Sequence, residues 1–156
     1  MELQRSGDYY QLFLEDNILV ARIFVSENTP RISFLGMSHV FTEIKKLLRQ
    51  KHLTKSGWSL LYDFSGLTDF DLTAITLFVT FFRWAHTHGR QKSAHIFPLE
   101  SDEQRISMLK RVAFDVAGKI TGQQNDHYTA KNVEDAIGWL ISVRAVGTEN
   151  ASQGDK

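Results

Sequence analysis

Residues 58–74 read Trp58-Ser59-Leu60-Leu61-Tyr62-Asp63-Phe64-Ser65-Gly66-Leu67-Thr68-Asp69-Phe70-Asp71-Leu72-Thr73-Ala74, and their order of residue types decides the fold. Gly57 precedes a nearly continuous apolar run over 58–64, the pattern of a central strand covered on both faces. Ser65, Gly66, Thr68, Asp69 and Asp71 then make a short polar connection over 63–71. From Leu72 onward the apolar residues continue to about His88 and stop at Gly89, a residue suited to the end of a helix. A strand, a bend and a helix follow one another with no room for a second domain between them.

Outward from this unit the pattern repeats. Residues 94–97 (Ala-His-Ile-Phe) form a short strand ended by Pro98. Ser101 or Asp102 then caps a helix carrying Ile106, Leu109, Val112, Ala113 and Val116 as far as Gly118. A Gly- and Gln-rich loop over 118–125 leads to a last short strand over 126–130, and Asn132 with Asp135 opens a final helix to about Val146. Upstream, 9–15 and 18–25 are aromatic and β-branched runs separated by Asp16 and Asn17, which reads as a hairpin. Thr29 and Pro30 signal a helix start, and Phe34, Met37, Phe41, Ile44, Leu47 and Leu48 recur at helical spacing. A hairpin followed by helices alternating with strands predicts an α/β protein, a mixed β-sheet of about five strands with about four helices in a layered fold. Residues 1–147 are expected to be a single domain and 148–156 a disordered polar tail.

Composition narrows the function. The 156 residues contain 18 Lys plus Arg and 18 Asp plus Glu, so the basic surplus of a nucleic-acid binder is missing. No cysteine is present, which excludes disulfides and thiolate metal sites and suits a reducing, cytoplasmic location. The first residues show no cationic segment leading into an apolar run, and the longest apolar stretch, 72–85, is interrupted by Thr73, Thr76, Thr80 and Arg83. Neither a secretory signal nor a membrane-inserted helix is expected.

The helix after the bend is greasier than one sheet face requires. At about 100° per residue, Thr73, Thr76, Thr80, Arg83 and Thr87 share one narrow arc, while Leu72, Ala74, Ile75, Leu77, Phe78, Val79, Phe81, Phe82 and Trp84 take the rest. An ordinary surface helix buries a stripe of about 100°. The side bearing Leu77, Phe81 and Trp84 therefore needs a second cover: the neighbouring helix, a partner protein or second subunit, or an apolar small ligand.

Asp63, Asp69 and Asp71 fall past the end of a strand, where open α/β sheets bind ligands. Paired carboxylates can divide acid and base roles. No nucleophile, glycine-rich phosphate cradle or metal-ligand spacing accompanies them, and caps and solvated turns explain them as well, so no catalytic residue and no cofactor is assigned. His86 and His88 point about 200° apart on their helix, and His39, His52, His95 and His127 show no ligand spacing. No metal site is expected.

The segment from Asp63 to Ile75 resembles the signature of STAS domains, in which an apolar strand runs into Asp-Leu-Ser-Gly and a following Asp-Ser-Ser-Gly-Leu opens a helix. Trp84-Ala85-His86-Thr87-His88-Gly89, the strand over 94–97 and Asp135-Ala136-Ile137-Gly138-Trp139-Leu140 continue the likeness, which is similar to the SpoIIAA-like branch grouped with STAS and Sec14-like domains. The resemblance implies a SpoIIAA-like (STAS) layered fold and a non-enzymatic module, like the anti-sigma-factor antagonists, acting by protein contact or as a homodimer. It also implies a phosphoacceptor at Thr73, which keeps the hydroxyl of the family's phosphorylated Ser, although Leu72 and Ala74 replace the flanking Ser and Gly. Asp63, Ser65, Gly66, Asp69 and Asp71 form the switch and turn around it. The Sec14-like association implies an alternative, a small-molecule or lipid carrier.

Overall fold

The computed structural model of the chain describes residues 1–98, 107, 109–111 and 126–152, with side chains through residue 142 in the last segment. In chain order the elements are strands β1 (Glu2–Gly7), β2 (Tyr10–Glu15) and β3 (Ile18–Ile23), helices α1 (Phe34–Gln50) and α2 (Leu53–Ser56), and strand β4 (Trp58–Asp63). A 3-10 turn (Leu72–Ala74), helix α3 (Ile75–Thr87), strands β5 (Arg90–Ile96) and β6 (His127–Thr129) and helix α4 (Val133–Ser152) follow. The strands make one six-stranded sheet in sequential order. β1, β2 and β3 pair antiparallel, and β3, β4, β5 and β6 pair parallel. The α/β class and the mixed sheet therefore agree with the sequence.

Where the chain departs from expectation, tertiary contacts account for it. Six strands replace the expected five because Glu2–Gly7, a polar segment with no apolar alternation, pairs with β2 at the sheet edge. Arg5 reaches Glu43 of α1 and places Nη2 2.6 Å from Gln50, ties that no local pattern announces. Helix α1 starts later than Thr29 and Pro30 suggest. Ile32 first bridges to Phe70, and Ser33 caps the helix by accepting from Gly36 N at 3.0 Å. The final helix runs through Ser152 rather than ending near Val146, since neither Gly147 nor the residues after it include a proline to stop it. Residues 148–152 of the expected disordered tail are thus helical. The helix expected over 101–118 and the loop to 125 fall largely outside the described residues, as do 153–156.

Two apolar clusters lie on opposite faces of the sheet. On one, Leu19, Ala21, Leu60, Tyr62 and Phe64 meet Met37, Ile44 and Leu48 of α1 and Phe78, Phe81 and Phe82 of α3, and Leu109 joins them. On the other, Val20, Leu61, Ala94 and Ile96 meet Ala136 and Leu140 of α4. Alternate residues of β3 and β4 thus serve both layers, which explains why these strands read as unbroken apolar runs.

Gly89 turns the chain from α3 into β5. Its φ is +88°, and a Cβ there would stand 2.9 Å from the Thr54 carbonyl oxygen, so only glycine fits without strain. Trp58 closes the same corner, donating from Nε1 to the His88 carbonyl at 2.8 Å.

Candidate functional site

The bend after β4 is built on Asp63. Register pairs Asp63 with Arg22 of β3, and the buried carboxylate accepts from Arg22 Nε at 3.0 Å, Ser65 N at 3.1 Å and Ser65 Oγ at 2.6 Å. Three donors on one carboxylate hold the first residues of the connection against the strand end. Gly66 then passes so close to β3's exit that an added Cβ would lie 2.8 Å from Phe24 Cβ, and its carbonyl accepts from Val25 N at 2.9 Å. Ile32 N donates to the Asp69 carbonyl at 3.3 Å and Asp71 N to the Ile32 carbonyl at 2.9 Å. The segment before α1 and the segment before α3 are therefore laced together, and both helices begin side by side.

Asp71 is the cap of the 3-10 turn. Its carboxylate accepts from Thr73 N at 3.0 Å and Thr73 Oγ1 at 2.8 Å. The Thr73 side-chain and backbone hydrogen bonds hold this carboxyl below the usual carboxylate range, with Arg31 adding a weaker pull. Arg31 Nε lies 3.6 Å from Asp69. Thr73 itself is exposed. The same two helix starts carry uncovered apolar side chains: Leu35 is 78% exposed, Phe34 38% and Leu72 37%.

The helix side expected to need a second cover has one within the chain. Phe81 is 1% exposed. Its ring stacks on Phe41 of α1 at 4.7 Å and on Trp84 at 5.7 Å. Trp84 is partly buried beneath His88, 4.4 Å away, and beneath Lys45 and Arg49, at 5.2 and 5.6 Å. Leu77 packs partly buried against the same core. Of the three covers left open by the sequence, the neighbouring helix fills this side.

The carboxylates do not share one partner set. Asp63 belongs to Arg22 and Ser65, Asp69 pairs with Arg31, and Asp71 holds Thr73. That distribution suits a structural bend more than divided acid and base roles.

Sequence reasoning missed a polar group that runs along β5 on the aromatic face of the sheet. β5 begins at Arg90, four residues before the expected strand, and a register irregularity between Trp58 and Leu60 lets Arg90 and Ser93 both face the aromatic core beside Tyr62 and His95. Arg90 Nη1 donates to Ser93 Oγ at 2.7 Å. His95 Nε2 and His127 Nδ1 are 3.3 Å apart, across neighbouring parallel strands. Burial, with the nearby His127 and Arg90, pushes His95 well below the ordinary imidazole range. Burial and Arg90 lower His127 to about 4. Both imidazoles are neutral at pH 7. The signal in the sequence was the like parity of Ser93 and His95 on one strand and His127 on the next, which acquires meaning only once the parallel register is known.

No protein-family model matches the sequence, and no curated protein matches it. Among the described residues, no helix is long and apolar enough to cross a membrane.

Proposed function

We propose that this chain is a non-enzymatic regulatory module of the SpoIIAA-like (STAS) type, contacting a protein partner through the paired starts of α1 and the 3-10 turn. The reading rests on the resemblance of residues 63–75 to the STAS signature. The observation that carries it is an exposed hydroxyl, Thr73, on one of two helix starts that the Ile32–Phe70 bridge brings together and that also bear the exposed Phe34, Leu35 and Leu72. Exposed apolar side chains gathered around a modifiable group form a contact surface that charge can turn off.

Phosphate on Thr73 would sit at a helix start, where free amides and the dipole favour an anion. It would displace the Thr73 hydroxyl from its 2.8 Å bond to Asp71, bringing two negative groups together, and would compete with Asp69 for Arg31. The contact surface would then carry charge where it carried grease. A partner seated on Leu35 and Leu72 would be released. A lipid carrier draws less support: the excess aromatic rings pack on one another, Phe41 on Phe78 and Phe81, and Tyr62 on Phe64 and Phe82.

The test is phosphosite mapping of the protein isolated from its own cells, together with comparison of proteins retained by the wild type, Thr73→Glu and Leu35→Asp. The expected result is phosphate at Thr73 and one partner lost from both variants. Unmodified Thr73 in every growth condition, with identical partners for all three proteins, refutes the proposal.

A further inference from the structure

Arg90 is 6% exposed, and Tyr62 is fully buried. Neither the Arg90 Nε nor the Tyr62 hydroxyl has a hydrogen-bond partner among the described residues. Among the described residues the guanidinium makes one side-chain hydrogen bond, to the neutral Ser93 hydroxyl. A buried guanidinium stays charged and is costly to leave without an anion. Each orphaned donor in a low-dielectric interior is destabilising as well. Asp126 is the described carboxylate that acts on this region, and it is already held by Lys92 Nζ at 2.5 Å. Among the described residues, Arg90 and Lys92 against Asp126 leave one positive charge in excess.

The surroundings suit a small acceptor. Tyr62 stacks on His95 at 5.3 Å and His95 lies alongside His127 at 5.6 Å, so two imidazoles and two hydroxyls border the guanidinium. His127 is only partly buried and lies on the last strand of the sheet order. Neither the bend at Asp63 nor the surface around Thr73 shares a residue with it.

We propose that Tyr62, Arg90, Ser93, His95 and His127 form a binding site for a small oxyanion with a single negative charge, of the carboxylate kind. One oxygen takes the Arg90 Nε–H and the other the Tyr62 O–H. The charge of the anion balances the guanidinium, and its acceptor atoms satisfy both orphaned donors. The site runs along β5 from Arg90 to His95 and shares no residue with the proposed contact surface, so its occupancy and a partner's binding are separable.

Thermal melting of the full chain in acetate and in chloride at equal ionic strength tests this. Acetate is expected to raise the wild-type melting temperature by a few degrees, saturably, relative to chloride. Tyr62→Phe keeps the ring contacts and removes the orphaned hydroxyl. It is expected to melt no lower than the wild type in chloride and to bind acetate at least tenfold more weakly. Arg90→Met should abolish the response; if that variant does not fold, Tyr62→Phe decides alone. A wild type indifferent to acetate overturns the site. So does a Tyr62→Phe variant that responds as the wild type does, or that melts lower in chloride, since its hydroxyl would then be satisfied by something other than the anion.

Discussion

Replacing Asp63 by Ala should unfold the chain at a markedly lower temperature, because one carboxylate holds both the end of β4 and the start of the bend. The substitution removes the bonds from Arg22 Nε, Ser65 N and Ser65 Oγ at 3.0, 3.1 and 2.6 Å. The carboxylate is 5% exposed but Arg22 is 39% exposed, so the guanidinium regains water and the full cost of breaking a buried pair, about 3–5 kcal/mol, does not apply. Ser65 is exposed and its N–H regains water, so what is lost there is the net value of a bond to a charged acceptor, about 1.5–3 kcal/mol. The sum is roughly 2–4 kcal/mol, which for a chain of this size lowers the melting temperature by roughly 5–15 °C. Calorimetry or urea unfolding measures it. A cycle with Ser65→Ala should be non-additive by about 0.5–3 kcal/mol. Hydrogen exchange should quicken at Val25 and Asp71, whose amides bond to Gly66 and Ile32 across the same bend. If Asp63→Ala melts within about 0.5 kcal/mol of the wild type, or the cycle is additive, Asp63 does not anchor the bend.

Acid should weaken the fold through the imidazole pair. His95 and His127 have folded-state pKa values below the free value, the latter about 4, so the unfolded chain binds more protons. Their stabilising contribution is present in full above pH 6.5 and falls away as the pH drops toward 4. The urea midpoint should decline across that window, and His127→Gln should flatten the decline; an unchanged slope refutes it. Gly89→Ala should cost more than about 1 kcal/mol, since the +88° φ and the Thr54 oxygen at 2.9 Å both oppose a side chain. Equal stability in chemical denaturation would show that the corner relaxes. Asp71→Ala should lower the urea midpoint as a lost cap, and Asp71→Asn less than half as much, because an amide oxygen still accepts from Thr73 N; equal losses in urea denaturation would mean that charge rather than capping matters there.

The bend was legible because its residue types are individually constrained. A seven-residue apolar run, Gly66 and an Asp two residues before a hydroxyl each demand a particular backbone, and together they place the strand end, the crossing beneath Phe24 and the cap. β1 was not legible, since its order comes from Arg5 reaching a glutamate in sequence position 43. The start of β5 was hidden for a related reason: Arg90, Gln91 and Lys92 look like solvated residues, but the irregular register turns Arg90 into the aromatic core. Periodicity correctly identified an over-wide apolar arc on α3 and was silent on its cover, because the Phe41–Phe81 stack joins residues forty positions apart.

That silence bears on where a partner can sit. A helix whose apolar arc is filled by its neighbour offers little surface along its length, and beside the exposed Met1, Leu3 and Ile141 elsewhere, exposed apolar side chains stand where the two helices begin and the covering layer ends. Phe34, Leu35 and Leu72 occupy that position because Ile32 and Phe70 bridge immediately beside them and bring the two starts into line. The same bridge fixes Asp71, and through it Thr73. The proposed contact surface and its hydroxyl are therefore positioned by one set of backbone hydrogen bonds, and on that proposal a change of charge at Thr73 acts at helix starts that cannot move apart independently.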